Sequence, residues 1–124
     1  MPHILLVGDH RIVTHVLKET LEAEGWRVTI CYDGSVAVTK LARKAAYDLL
    51  LLDNHPPNVD GLELARYVRG LPHRRETPII MFSASGCSRH AQLAGVNEFL
   101  QKPQDIGKTV EVIARLLTSR SGFS

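Results

Sequence analysis

Two apolar patterns alternate along the chain. Short runs of nearly continuous apolar residues occur at 3–8, 27–31, 47–52, 78–82 and 96–100. Runs apolar at consecutive positions suit strands buried on both faces, as in a parallel sheet covered by helices. Between them the period changes. Ile12, Val16, Leu17 and Leu21 recur at helical spacing, and Gly25 stands where a helix would stop. Val38, Leu41, Ala42 and Ala45 repeat the pattern, and Leu64, Ala65 and Val68 form a third stripe ending near Gly70 and Pro72. Ile106, Val110, Ile113, Ala114 and Leu117 form the last stripe, with Asp105 as its expected N-cap. The order is strand–helix repeated five times, which implies an α/β fold with a parallel sheet and right-handed crossovers. Only the segment between Phe82 and Val96 is cramped: it leaves room for about two helical turns, so the fourth helix is expected to be short.

Composition narrows the class. The chain has 124 residues, 44% hydrophobic and 23% charged, the mix of one globular domain, so a single domain over 1–124 is expected, with a frayed tail from about 119. Fifteen basic residues against thirteen acidic leave a net charge of +2, too small to argue for a nucleic-acid partner. The basic stretch holding Arg66, Arg69, Arg74 and Arg75 is expected to be a solvated helix end, its cations suited to the helix dipole. Uncharged apolar runs such as Leu49 to Leu52 are far short of a membrane span, and no signal peptide is apparent. Cys31 and Cys87 lie in no paired motif, which points to reduced thiols and a cytoplasmic location. The six histidines form no helical pair that would suggest zinc, and the single Gly8 after the first strand is not a phosphate-cradling loop.

In an open α/β sheet ligands bind outside the carboxyl ends of the strands. Gly8 and Asp9 follow the first strand, Asp53 the third, Ser83 the fourth, and Lys102-Pro103 the fifth. Two carboxylates, a hydroxyl and an ammonium thus converge on one edge. Paired carboxylates suit a hard cation such as Mg²⁺. A carboxylate beside such an ion and a lysine is also a candidate nucleophile toward a phosphoryl group.

These residues carry a family resemblance. From about residue 3 to 117 the chain resembles the receiver domain of bacterial two-component response regulators. The most specific stretch is 52–61, in which Asp53 is followed by Pro57, Asp60 and Gly61 as in the family's phosphoacceptor loop. Ser83 matches the switch Ser/Thr, Lys102-Pro103 the family's Lys-Pro, and Phe99 the aromatic switch position. The resemblance implies a flavodoxin-like three-layer sandwich with strand order 2-1-3-4-5. It also implies a signalling domain rather than an enzyme. Asp53 would accept a phosphoryl group from a sensor histidine kinase or phosphotransfer protein. Asp9, Asp53 and the backbone carbonyl of His55 would hold Mg²⁺. Ser83 and Lys102 would bind phosphoryl oxygens. Phe99 would move into the space Ser83 vacates, altering the face of the fourth helix, fifth strand and fifth helix read by a downstream protein or output domain. His55 and Ser85 occupy positions that tune loss of the phosphoryl group.

Three departures qualify the match. The family carries two consecutive acidic residues after the first strand, whereas this chain has Gly8-Asp9, so Mg²⁺ binding is expected to be weakened. The span from Ser83 to Lys102 is shorter than the family's, and Gln104 replaces an apolar or aromatic residue. Two other readings stay open: a pseudo-receiver that binds proteins without phosphorylation, and the regulatory fragment of a transcription regulator. No DNA-binding module fits after Leu117, so direct nucleic-acid binding by this chain is not expected.

Overall fold

The alternating side chains of β1 and β3 set the architecture. Among the described residues of the computed structural model (2–8, 11–43, 47–53, 61–83, 95–101 and 106–121) five strands form one sheet: β1 (His3–Val7), β2 (Arg27–Cys31), β3 (Leu49–Asp53), β4 (Ile79–Ser83) and β5 (Glu98–Gln101). All pairings are parallel, and the order is β2-β1-β3-β4-β5, as the resemblance implied. Ile4, Leu6, Leu49, Leu51, Ile80 and Phe82 point to one face; Leu5, Val7, Leu50, Leu52, Ile79 and Met81 point to the other. Period-2 geometry therefore feeds two cores from one continuous apolar run. The first face packs against α1 (Arg11–Glu22) and α4 (Thr109–Ser121) through Leu17, Leu21, Val112 and Ile113. The second packs against α2 (Gly34–Ala42) and α3 (Gly61–Gly70) through Ala37, Leu41, Leu64 and Val68. Residues 84–94, where the short fourth helix was expected, lie outside the described residues, as does Asp105.

Helix ends follow local chemistry. The Asp33 carboxylate accepts hydrogen bonds from the Ser35 amide and hydroxyl, both at 2.7 Å, starting α2. Gly25 takes φ +91° after α1, the left-handed turn that glycine reaches without strain. The expected stripe of α1 is corrected. Thr14, Leu17 and Leu21 are buried, whereas Ile12 and Val16 are 74% and 54% exposed. At 3.6 residues per turn Ile12 and Leu17 are about 140° apart, so the four apolar residues belong to two faces. Val112, outside the last expected stripe, is buried, while Ala42 is exposed and Ala45 falls among the residues not described.

The basic stretch is also corrected. Arg66 and Arg75 are exposed, but Arg74 is buried and Arg69 partly so. Arg74 donates from Nε to the Leu41 carbonyl and from Nη2 to that of Arg43, both at 2.8 Å, with its guanidinium 5.0 Å from the Tyr47 ring centre. It thereby satisfies carbonyls left over at the end of α2. Arg69 donates to the carbonyls of Gly95 and Thr77 and to Asn97 Oδ1, which also accepts the Ile79 amide. These two cations tie α2, α3 and the start of β4 and β5 together at the amino end of the sheet. Burial lowers both guanidinium pKa values, yet arginine stays charged.

Candidate functional site at the carboxyl edge of the sheet

Register shows which residues share that edge. Val7 pairs with Cys31 on one side and Leu52 on the other, and the Gly8 amide donates to the Cys31 carbonyl at 3.0 Å. One residue further stand Tyr32, Gly8 and Asp53, so Gly8 sits between an aromatic residue and the expected phosphoacceptor. On the other side Asp53 pairs with Phe82, and Ser83 pairs with Gln101. The backbones of Asp53 and Ser83 therefore close neighbouring strands, each as its strand's last residue. Lys102 is next in the chain after Gln101. Asp9, His55, Pro57, Asp60, Ser85, Lys102 and Pro103 lie outside the described residues, so their positions are not part of this geometry. Gly61, the end of the loop motif, is buried and begins α3.

The expected switch residue Phe99 lies in β5 opposite Met81 and is partly buried, packed against the core that faces α2 and α3. Sequence reasoning did not find two further features at this edge. The first is Arg11, which opens α1 with its guanidinium 4.0 Å from the centre of the Tyr32 ring. Its only sequence signal was a cation three residues after Gly8. The second is an apolar groove of about 350 Å³ lined by Ile12, Val13, Val16, Gly107 and Val110, among others. It opens between the first turns of α1 and the lead into α4, the two segments that leave the carboxyl edge after β1 and β5. Beside the edge, burial raises the pKa of the Cys31 thiol; Lys40 opposes that rise and Asp33 adds to it. Cys31 is a free, buried cysteine.

An edge of this kind can bind a hard cation and a phosphoryl group. The oxygen-only donor set, two carboxylates and a carbonyl, fits Mg²⁺. Of the two carboxylates, the structure describes the backbone of Asp53, which ends β3 beside Gly8 of the adjacent chain segment after β1. Among the described residues there is no cluster of three or more His, Cys, Asp or Glu that could hold a metal.

Comparison with known proteins decides the family, because the "Response regulator receiver domain" model matches residues 4–114. The chain belongs to the response regulator receiver domain family. The receiver is 36% identical over 127 residues to the transcriptional regulatory protein CpxR of Escherichia coli (strain K12), covering 100% of this chain and 52% of CpxR. It is 36% identical over 119 residues to the phosphate regulon transcriptional regulatory protein PhoB of Rhizobium meliloti (strain 1021), covering 94% and 51%. The receiver thus spans about half the length of these curated relatives. Among solved structures it is similar to the receiver domain of sensor histidine kinase PA1611 from Pseudomonas aeruginosa PAO1. That match has 32% identity and a TM-score of 0.84, covers 94% and 97% of the two chains, and the neighbour holds a magnesium ion in its active site cleft. A CheY-like receiver from Methanospirillum hungatei JF-1 matches with TM-score 0.91 over 100% and 99% of the chains at 24% identity, which shows the fold. Receivers are signalling domains of two-component systems, and among the described residues no helix is long and apolar enough to cross a membrane.

Proposed function

We propose that this receiver, as a single domain over residues 1–124, is a phosphoacceptor switch in which Asp53 is the modified residue. The observation that carries the proposal is the placement of Asp53. It is the last residue of β3, between Gly8 after β1 and the end of β4, where ligands meet parallel α/β sheets. An Asp53 carboxylate oxygen attacks phosphorus in the donor, and an acyl phosphate forms. The phosphorus–nitrogen bond to a donor imidazole breaks, and its electron pair returns to nitrogen. Lys102 and Ser83 offer hydrogen bonds to phosphoryl oxygens, and this favours the phosphorylated arrangement. Asp9, Asp53 and the His55 carbonyl would hold Mg²⁺, which supplies charge neutralisation at the phosphoryl oxygens when bound. With Gly8 in place of a carboxylate, that ion is held more weakly. Phe99 answers by changing its packing beside β4, which alters the surface offered to a downstream protein or output domain.

The donor is a sensor histidine kinase or phosphotransfer protein. The apolar groove beside the edge supports this, because it offers a protein donor a surface between the first turns of α1 and the lead into α4. Exposed Ile12 and Val16 give such a partner an apolar face to bury. The exchange is placed in the cytoplasm, where free thiols such as Cys31 persist. Intact-mass spectrometry after incubation with Mg²⁺ and acetyl phosphate tests the proposal. One added, base-labile phosphoryl group, absent in Asp53→Asn, is the expected result. No adduct even with high Mg²⁺ and a phosphorylated kinase would move the reading to a phosphorylation-independent interaction module.

A further inference from the structure

We infer that Arg11 is a fixed cation of the phosphorylation edge, a positioning residue that makes the edge favour anionic phosphodonors over free divalent cations. The inference rests on the reading of Asp53 as acceptor and specifies how its edge is charged. Arg11 is the first residue of α1, and that first turn contains no acidic residue. A cation there faces the positive end of the helix dipole, which disfavours it. Something must compensate, and the Tyr32 ring does, with the guanidinium 4.0 Å from its centre. Arg11 remains exposed and, among the described residues, forms no ion pair with a carboxylate. Its charge is therefore offered to solvent and to whatever approaches the edge.

The register sets the range over which that charge acts. Tyr32 and Asp53 flank Gly8 on the two neighbouring strands, so their backbones are about 10 Å apart at ordinary strand spacing. That is close to the screening length at physiological salt and well inside it at low salt. Gly8 brings no carboxylate to this edge, and Arg11 brings a cation beside it. The Arg11 cation then offsets part of the charge that the Asp53 carboxylate brings to the edge. An edge of that balance repels a dianionic phosphodonor less and attracts Mg²⁺ less.

Arg11→Ala, Arg11→Lys and Tyr32→Leu in the full chain, titrated with Mg²⁺ by calorimetry at about 10 mM and about 0.5 M ionic strength, test this. Arg11→Ala is expected to tighten Mg²⁺ about threefold at low salt and to approach the parent at high salt. It is expected to slow phosphorylation by acetyl phosphate about threefold at saturating Mg²⁺ and low salt. Arg11→Lys should restore most of both effects, and Tyr32→Leu, which frees the guanidinium, should give intermediate values. Equal Mg²⁺ affinities at low salt, or a difference that salt does not alter, overturn the assignment, since a merely structural role has no salt signature. An adduct that persists in Asp53→Asn overturns the acceptor reading separately and leaves the Mg²⁺ comparison to judge Arg11.

Discussion

Restoring the missing carboxylate at Gly8 is expected to tighten Mg²⁺ binding by about tenfold. Gly8 is buried between two strands, its amide is committed to the Cys31 carbonyl, and among the described residues the positive-φ glycines are Gly25 and Gly95, not Gly8. Gly8→Asp therefore adds a charge without demanding a left-handed backbone. Asp53 ends the neighbouring strand at a spacing of about 4.8 Å, so a new carboxylate would lie within roughly 6 Å of an ion held by Asp53. A unit charge and a divalent ion at that distance in water attract by about 1.4 kcal/mol, close to a factor of ten. Screening at physiological salt trims the gain toward threefold. Calorimetric titration with Mg²⁺ reads it directly, with Gly8→Asn as the control of equal size and no charge. Phosphorylation by acetyl phosphate should speed up at low Mg²⁺, and the advantage should shrink as Mg²⁺ saturates. The reasoning is refuted if Gly8→Asp and Gly8→Asn, both folded, bind Mg²⁺ alike.

Two further predictions concern the scaffold. Arg74→Met keeps the bulk of the buried side chain but removes its donors to Leu41 and Arg43; His73 Nε2 stays within 3.1 Å of both carbonyls, so the expected loss is about 2 kcal/mol, seen as a lower urea midpoint with unchanged slope. No loss of stability would mean that His73 and water already satisfy the end of α2. The Cys31 thiol is pushed above its ordinary range chiefly by burial. Its neutral form then stabilises the fold below that range, and the contribution is lost as pH rises through the raised value. A stability profile should fall on the alkaline side, and Cys31→Ala, at a small constant packing cost, should remove that component of the fall.

Much of the fold was legible because apolar residues at consecutive positions have few alternatives to buried parallel strands. Leu49–Leu52 feed both cores in alternation, and no amphipathic helix or edge strand fits that pattern. The faces of α1 were not legible, since Ile12 and Val16 are as apolar as Leu17 and Leu21, and spacings of four join each pair without joining the pairs. What separates them is the sheet beneath, which one face covers and the other does not. Arg69 and Arg74 misled for a related reason. A guanidinium reads as a surface charge until the carbonyls that need its donors are in place, and those of Gly95, Leu41 and Arg43 lie 26, 33 and 31 residues away along the chain. At the site, the backbone placement of Asp53 and Ser83 followed from strand ends alone. The perch of Arg11 on Tyr32 depends on the β1–β2 register, which carries no signal at either residue.

The proposed switch is consistent in magnitude with the packing around it. Asp53 pairs with Phe82, Ser83 pairs with Gln101, and Phe99 pairs with Met81, so two strand pairings connect the acceptor to the switch aromatic. In the proposed switch, Ser83 bonding a charged phosphoryl oxygen would contribute about 1.5–3 kcal/mol, and Lys102 would add a comparable pairing. Phe99 is only partly buried at rest, so further burial of its ring recovers on the order of 1 kcal/mol. The phosphoryl contacts alone are of the size that moves a minor arrangement to a major one, since a reversal from 1:99 to 99:1 takes about 5.5 kcal/mol. In the proposed switch the aromatic residue would supply the smaller share of that bias and serve as its readout. Ser83 stands in the last β4–β5 pair and Phe99 packs partly buried against the core that faces α2 and α3, so a change at both would leave the strand pairings that position Asp53 in place.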